Sequence, residues 1–355
     1  MNFYYLCTLI TAITTTDPMS MKRANIAKFG IALFAAAIFV ACSPSVQYTT
    51  IEGSALGTSV VVKCNTTAEE QLLVSLIADI DHRAKSSMSI FDKESLLSRI
   101  NDNRTDSLDR HIAYNIELAK RLSILSGGAY DITVKPLTDA WGFARREEQS
   151  ARPNIDSLLS FVGYEKIAIA DGRIVKSDPR TELDLNSIAK GYTVDMLSAE
   201  LEALGISDYM VNIGGEIRCR GLNPRGEKWS IGIETPYDGN YASDAIEKII
   251  EVSDCAVATS GNYRRFYLTD DGRKITHTLN PHTGESVVSD LLSVTVIAPT
   301  CAEADAAATM FMAMGSEGGA LELAKRCEAD FGWRYYFIYA DGEGYRIEAS
   351  PTLKQ

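Results

Sequence analysis

The stretch Leu183-Asp184-Leu185-Asn186-Ser187-Ile188-Ala189-Lys190-Gly191-Tyr192 is where one kind of structure gives way to another. A short run alternating apolar and polar residues ends there, and an amphipathic helical pattern begins within two or three residues. An acid stands at the junction, small polar residues occupy the helix start, and a lysine lies one turn in. The first turn of a helix leaves backbone N–H groups without intrahelical partners, and the helix dipole adds positive potential, so such a start favours anions. An adjacent carboxylate can help hold a divalent cation among phosphate oxygens. By itself the stretch also reads as an ordinary N-cap with a solvated lysine. The rest of the chain decides between the two.

Outward from this junction, strands cluster instead of alternating with helices. Upstream, Gly57–Cys64 is rich in β-branched residues, and Ala68–Lys85 and Arg110–Ser126 have helical spacing. The second of these helices stops at Gly127-Gly128. A short helix, Asn154–Phe161, precedes a hairpin of 166–170 and 173–176 around Asp171-Gly172, a type I′ turn signal. After a helix over Ser187–Leu204, strands are predicted at 208–213, 216–220, 229–234, 247–252, 255–259, 263–268, 274–279 and 291–298. Helices Ala302–Met314 and Glu317–Cys327 follow, then a hairpin of 334–340 and 344–349. This order predicts an α+β domain, not a doubly wound parallel sheet.

The N-terminal segment reads as an address. Lys22, Arg23 and Lys28 form a basic region ahead of an apolar stretch, Ile31–Ala41, too short to span a bilayer. Phe39-Val40-Ala41-Cys42 resembles a bacterial lipobox, which makes Cys42 the lipidated first residue of the mature chain. A plain secretory signal is the competing reading. Residues 1–20 do not fit a basic region and read as an upstream extension from a start codon placed too early; 21–41 are the signal peptide and 42–50 a tether. The remainder, 51–355, holds roughly 300 residues, enough for one large domain or two fused ones. The formal net charge of −12 argues against nucleic acid as a partner. The other six cysteines are widely spaced with no Cys-x-x-Cys, which points to buried thiols and away from a zinc site or disulfide framework.

Several segments could carry chemistry. Gly127 to Leu137 places glycines and Tyr130 after a helix end, as a ligand-facing loop or a plain helix-to-strand turn. Asn212-Ile213-Gly214-Gly215-Glu216 lacks the Gly-x-Gly-x-x-Gly spacing of a dinucleotide fingerprint and reads as a tight strand-to-strand turn. Thr259-Ser260-Gly261 resembles part of a nucleophile elbow but lacks the first glycine, which keeps a serine hydrolase with His277 as base only as a weak alternative. His277 and His282 flank a Pro/Gly turn and are the candidates for proton transfer. Asp305 and Thr309, four apart on an alanine-rich helix, share one face, and a buried acid there needs a partner such as a hard cation.

Taken in order, these segments resemble the ApbE family, the FAD:protein FMN transferases. The matching pieces are Leu56-Gly57-Thr58, Ser89 to Asp92 with Ser95 to Asn101, Gly128 to Phe143, Asp184 to Asp195, Val211 to Gly221, Trp229 to Pro236, Thr259 to Phe266, His277 to Gly284 and Ser293 to Gly315. The resemblance implies a compact α+β domain, related to the T-fold, with mixed or antiparallel sheets packed by helices. It implies FAD contacts at Leu56, Phe91, Ala129, Tyr130, Asp131, Asp184, Lys190 and Leu279. It places Mg²⁺ at Ser187, Asp305 and Thr309, with Ala308 where some members carry a second acid. His277 stands at the matching histidine and is the expected catalytic residue.

The implied reaction moves FMN from FAD to a threonine or serine hydroxyl of an exported acceptor flavoprotein and releases AMP. The resemblance also implies a membrane lipoprotein facing the periplasm or cell exterior. Two other activities fit the same residues: an FAD pyrophosphatase with water as nucleophile, and a non-catalytic flavin-binding lipoprotein. Between His277 and a carboxylate such as Asp305 as general base, the sequence does not choose.

Overall fold

Eight of the fourteen strands among the described residues meet in one sheet, and the other six form three two-stranded hairpins. The computed structural model describes residues 48–143, 154–237, 245–263, 266–269, 272–342 and 344–353, which all belong to one unit spanning Gln47–Gln355. The expected signal peptide, Cys42 and most of the tether lie outside the described residues.

In chain order the chain forms β1 (Tyr48–Ala55), β2 (Thr58–Asn65), α1 (Glu70–Met88), α2 (Leu96–Asn101), α3 (Arg110–Leu125), α4 (Lys135–Ala140) and α5 (Asp156–Leu159). The hairpin β3 (Ile167–Ala170) and β4 (Arg173–Lys176) leads into α6 (Ala189–Ala203). Then come β5 (Tyr209–Ile213), β6 (Glu216–Arg220), β7 (Trp229–Glu234), β8 (Ile246–Val252), β9 (Cys255–Gly261), β10 (Phe266–Leu268), β11 (Lys274–Thr276) and β12 (Leu291–Ala298). Helices α7 (Cys301–Met314) and α8 (Ala320–Phe331) precede the closing hairpin, β13 (Arg334–Asp341) and β14 (Gly344–Ala349). The order in the main sheet is β1-β2-β5-β6-β9-β12-β13-β14, and every neighbouring pair is antiparallel. The α+β expectation therefore holds.

Side-chain alternation shows why this sheet is covered on both faces. Along β13, Tyr335, Phe337 and Tyr339 join the helix-side core, while Tyr336 and Ile338 join the opposite core with Trp229, Ile231 and Ile250 of the β7–β8 hairpin. The same division holds in β9, with Ala256 and Ala258 on the helix side and Cys255 and Val257 on the other. Helix α7 lies on β9 and β12 and packs against α3 and α6. It is buried almost all round, which its alanine-rich sequence allows by bringing backbones close.

Local signals placed most elements. Asp171 and Gly172 have φ of +49° and +71°, the two left-handed residues that a type I′ turn requires. Four expectations shift. Strand β1 begins at Tyr48, inside the segment read as tether, because its whole length pairs with β2. The chain after Gly127-Gly128 enters α4, not a strand, with Pro136 in the first turn, where its missing N–H costs nothing. The two expected strands beside the His277 turn shorten to β10 and β11, a small hairpin apart from the main sheet. The last helix starts later than expected, at Ala320, because Gly315 and Gly319 hold positive φ and break the helix path after α7. The five described cysteines, Cys64, Cys219, Cys255, Cys301 and Cys327, are buried free thiols, as expected.

Candidate functional site

Among the ion pairs that join helix α6 to strand β6, two short ones run in step. Lys190 Nζ meets Glu216 Oε1 at 2.5 Å, and Arg218 Nη1 donates to Asp195 Oδ1 at 2.6 Å. Two residues along a strand cover about 6.7 Å, and five residues along a helix cover about 7.5 Å, so the two spacings match. Both strand residues face the helix layer, where a charge must be paired. Asp195 does more than pair: its two carboxylate oxygens accept the N–H groups of Cys301 and Ala302, each at 2.9 Å. It thereby caps α7 from a neighbouring helix. Burial pushes its carboxyl above the usual range, against the pull of Arg218 and the two amides.

The start of α6 has no capping side chain; Ile188 occupies that position. Ser187 instead shares a 2.9 Å hydrogen bond with the Tyr130 hydroxyl, and Asp184 accepts the Asn186 N–H at 2.8 Å. The ordinary N-cap reading of this stretch is thus not what forms. One turn into the helix, the Gly191 N–H donates to Asp305 Oδ2 at 2.9 Å. A Cβ on Gly191 would stand 2.2 Å from the Cys301 carbonyl oxygen, so the approach of α6 to α7 requires glycine. Burial pushes the Asp305 carboxyl well above the usual carboxylate range, with Glu216 adding repulsion while Lys190 and the Gly191 amide oppose it. Lys190 responds in the other sense: burial disfavours its charge, but Glu216 and Asp305 outweigh it and hold the ammonium protonated above its ordinary range.

These groups form one wall of a cavity of about 610 Å³, within the usual size of small-molecule sites. Its lining includes Ala129, Tyr130, Asp131, Asp184, Ser187, Lys190, His277, Leu279, Asp305 and Thr309, drawn from segments far apart in sequence. Glu216 and the Gly214-Gly215 turn line it too, as do Glu234 and Ile246 of the β7–β8 hairpin. Asp131 is held by Thr133, whose N–H and hydroxyl both donate to Oδ1 at 2.7 Å, and by the Tyr164 N–H at 2.6 Å on Oδ2. Burial nonetheless raises it to about 6. Burial likewise drives the Tyr130 phenol well above its usual range, leaving a neutral hydroxyl. His277 is half-buried, with Phe143 edge-on at 6.4 Å between ring centres.

The oxygen donors on this wall suit a hard cation. Among the described residues no three His, Cys, Asp or Glu side chains gather as a metal-binding group. One carboxylate at Asp305, the Thr309 hydroxyl and Ser187 are the kind of sparse oxygen set that Mg²⁺ accepts, since it keeps water or phosphate in its remaining positions.

A family model described as the ApbE family matches residues 56–331, most of the chain. The chain belongs to the ApbE family. A Vibrio cholerae relative named FAD:protein FMN transferase is 34% identical over 333 residues, which cover 91% of this chain and 97% of the relative. An Escherichia coli K12 protein of the same name is 31% identical over 350 residues, with 91% and 96% covered. Among solved structures, the flavin transferase ApbE from Vibrio cholerae superposes with a TM-score of 0.76 at 31% identity, covering 87% of this chain and 98% of that one.

Within this ApbE fold, ten of the twelve residues that the resemblance assigns to FAD, Mg²⁺ and catalysis line the cavity, and Leu56 and Phe91 are not among the lining residues. Leu56 sits at φ +52° in the β1–β2 turn, with its N–H on Asp81 Oδ1 at 2.7 Å. Phe91 is 66% exposed in the turn after α1. The serine hydrolase alternative fails on geometry. Ser260 lies within strand β9, not at a strand-to-helix elbow, and its hydroxyl pairs with Thr309 at 3.0 Å. His282, the other histidine candidate, is exposed outside the lining, with Nε2 3.1 Å from the Gly127 carbonyl. Sequence reasoning missed Glu216, Asp195 and Arg218. The alternation of Glu216 and Arg218 with apolar Ile217 and Cys219 marks one shared face of the strand, but nothing local says which helix residues that face meets.

Proposed function

We propose that the protein transfers FMN from FAD to a threonine or serine hydroxyl of an exported acceptor protein, in a Mg²⁺-dependent reaction that releases AMP. The observation that carries this reading is the convergence, in an ApbE fold, of Lys190, Asp305, Thr309, Ser187, Asp131 and His277 on one cavity. The chain is accordingly a transferase.

In the transfer, the acceptor oxygen bonds to the FMN-side phosphorus of FAD, the bond from that phosphorus to the AMP oxygen breaks, and the hydroxyl proton passes to a base. AMP leaves as a phosphate monoester with a second pKa near 6, so its departure needs charge neutralisation more than protonation. Lys190, held cationic by its carboxylate neighbours, supplies part of this. Asp305, Thr309 and Ser187 would hold Mg²⁺, which when bound neutralises phosphate charge. Tyr130 fixes Ser187, and Asp131 holds the loop after α3 against Tyr164. His277 takes the hydroxyl proton in this reading.

The test is one incubation of purified protein with FAD, Mg²⁺ and an acceptor peptide carrying threonine or alanine at the modified position. FMN bound covalently to the threonine peptide alone is the expected result. FMN release without regard to the acceptor would make the protein an FAD pyrophosphatase, and tight FAD binding without turnover would make it a flavin carrier.

The same reading places the protein on the outer face of the cell membrane, anchored through lipid on Cys42. Cys42→Ser is expected to move the protein from the membrane fraction to the soluble fraction. Retention in the membrane would overturn the anchor assignment.

A further inference from the structure

Glu216 has an oxygen left over. Its residue exposure is 3%, and Oε1 is occupied by Lys190 at 2.5 Å. Oε2 is buried with no hydrogen-bond partner among the described residues. A buried carboxylate oxygen without a donor keeps its full desolvation cost, and such atoms persist where an ion or an ordered water fills the gap.

Two observations favour a cation. Glu216 lines the same cavity as Ser187, Asp305 and Thr309. Lys190 pairs with Glu216 Oε1, while Asp305 is bonded through Oδ2 to the neutral Gly191 amide, so both acids face the one ammonium in the cavity lining. Nor does α7 offer a second acid to the cavity: Ala308 is fully buried in the helix-side core. Glu216 is also fixed in place. It opens β6 directly after Gly214 and Gly215, both at positive φ, and pairs with Ile213 across the turn. A Cβ on Gly214 would stand 2.6 Å from Thr58 Cγ2, so this turn is held by its neighbour on β2.

We propose that Glu216 supplies, through Oε2, the second carboxylate of the divalent-cation site, while Oε1 holds Lys190. The proposal rests on the Mg²⁺-dependent reading above and adds a residue to it. Glu216 spans two charges, so its substitution separates metal binding from flavin binding.

The experiment titrates Mn²⁺ alone into the wild-type protein, Glu216→Gln and Asp305→Asn, with free Mn²⁺ read by electron paramagnetic resonance. FAD affinity is read in parallel by fluorescence in EDTA. Glutamine still accepts from Lys190, so Glu216→Gln is expected to weaken Mn²⁺ about tenfold or more and to leave metal-free FAD affinity within about twofold. Wild-type Mn²⁺ affinity in Glu216→Gln overturns the proposal and leaves the Mg²⁺-dependent reading standing. An equal loss of metal-free FAD binding also overturns it, because Glu216 then acts through Lys190 alone. A wild-type protein that binds FAD but no Mn²⁺ overturns the proposal together with the metal part of that reading. Should Glu216→Gln fail to fold, Glu216→Asp keeps the charge and withdraws the oxygen by one methylene. Unchanged Mn²⁺ affinity in that variant again overturns the proposal.

Discussion

The backbone N–H of Gly191 on α6 donates to Asp305 Oδ2 on α7 at 2.9 Å, tying the helix that carries Lys190 to the helix that carries Asp305 and Thr309. The contact needs bare backbone, because an added Cβ would meet the Cys301 carbonyl oxygen at 2.2 Å and Asp305 Cβ at 2.8 Å. Gly191→Ala must therefore separate the helices. Overpacking of this kind costs about 1–3 kcal/mol. The expected outcome is a lower urea midpoint and weaker FAD binding; a variant with wild-type values for both would show that the helices yield without cost.

Asp195 is predicted to be the costliest single acid to remove from the helix layer. It holds Arg218 and both leading amides of α7, so alanine leaves two N–H donors unpaired and Arg218 with its longer, 3.9 Å contact to Glu202. The pair is only partly buried, and losing charge-assisted hydrogen bonds of this kind costs about 1.5–3 kcal/mol. Urea denaturation of Asp195→Ala should show a loss in that range, and a loss below about 1 kcal/mol would mark the pair as no stronger than a surface bridge.

Asp305 and His277 should separate metal dependence from proton transfer. Asp305→Ala is expected to abolish the Mg²⁺-dependent activity, as EDTA should in the wild-type protein. His277→Ala is expected to lower the transfer rate by about 10²–10⁴-fold, the usual share of a general base, while FAD affinity and metal response persist. Full Mg²⁺-dependent turnover in Asp305→Ala would refute the metal assignment, and a full rate in His277→Ala would shift the base to a carboxylate.

What the sequence revealed and what it withheld divide along a physical line. Asp171-Gly172, the alternation in β13 and the helical spacing of α1 and α3 are local signals, and each element formed close to where it was expected. Strand β1 and helix α4 were not expected at all, because pairing with β2 and a proline-led turn set them. The wall of the cavity was legible only as far as motif order carried it. Lys190 and Asp305 stood out as charges in helices, whereas Glu216 looked like the end of a glycine turn. Its importance depends on a lysine 26 positions earlier and on one unpaired oxygen, neither of which has a local signature.

Asp131 gives a prediction about pH. Folding raises its carboxyl from an ordinary 3.8 to about 6, chiefly by burial, against three hydrogen bonds from Thr133 and Tyr164. The native state thus binds its proton more tightly than the unfolded chain. Between those two values the native state carries more protons, so stability falls as pH rises. The contribution is most favourable below about pH 4 and is lost as pH rises through about 6, and a raise of this size corresponds to roughly 3 kcal/mol. Asp131→Asn cannot ionise, so it should lack this slope, though it also loses the acceptor for the Tyr164 N–H at every pH. The quantity to measure is the stability of the wild type minus that of Asp131→Asn, from urea unfolding between pH 4 and 7. That difference should shrink steadily across the window as Asp131 ionises in its buried place. A difference that stays flat, or grows with pH, would mean that Asp131 is already ionised throughout and that its three donors outweigh its burial.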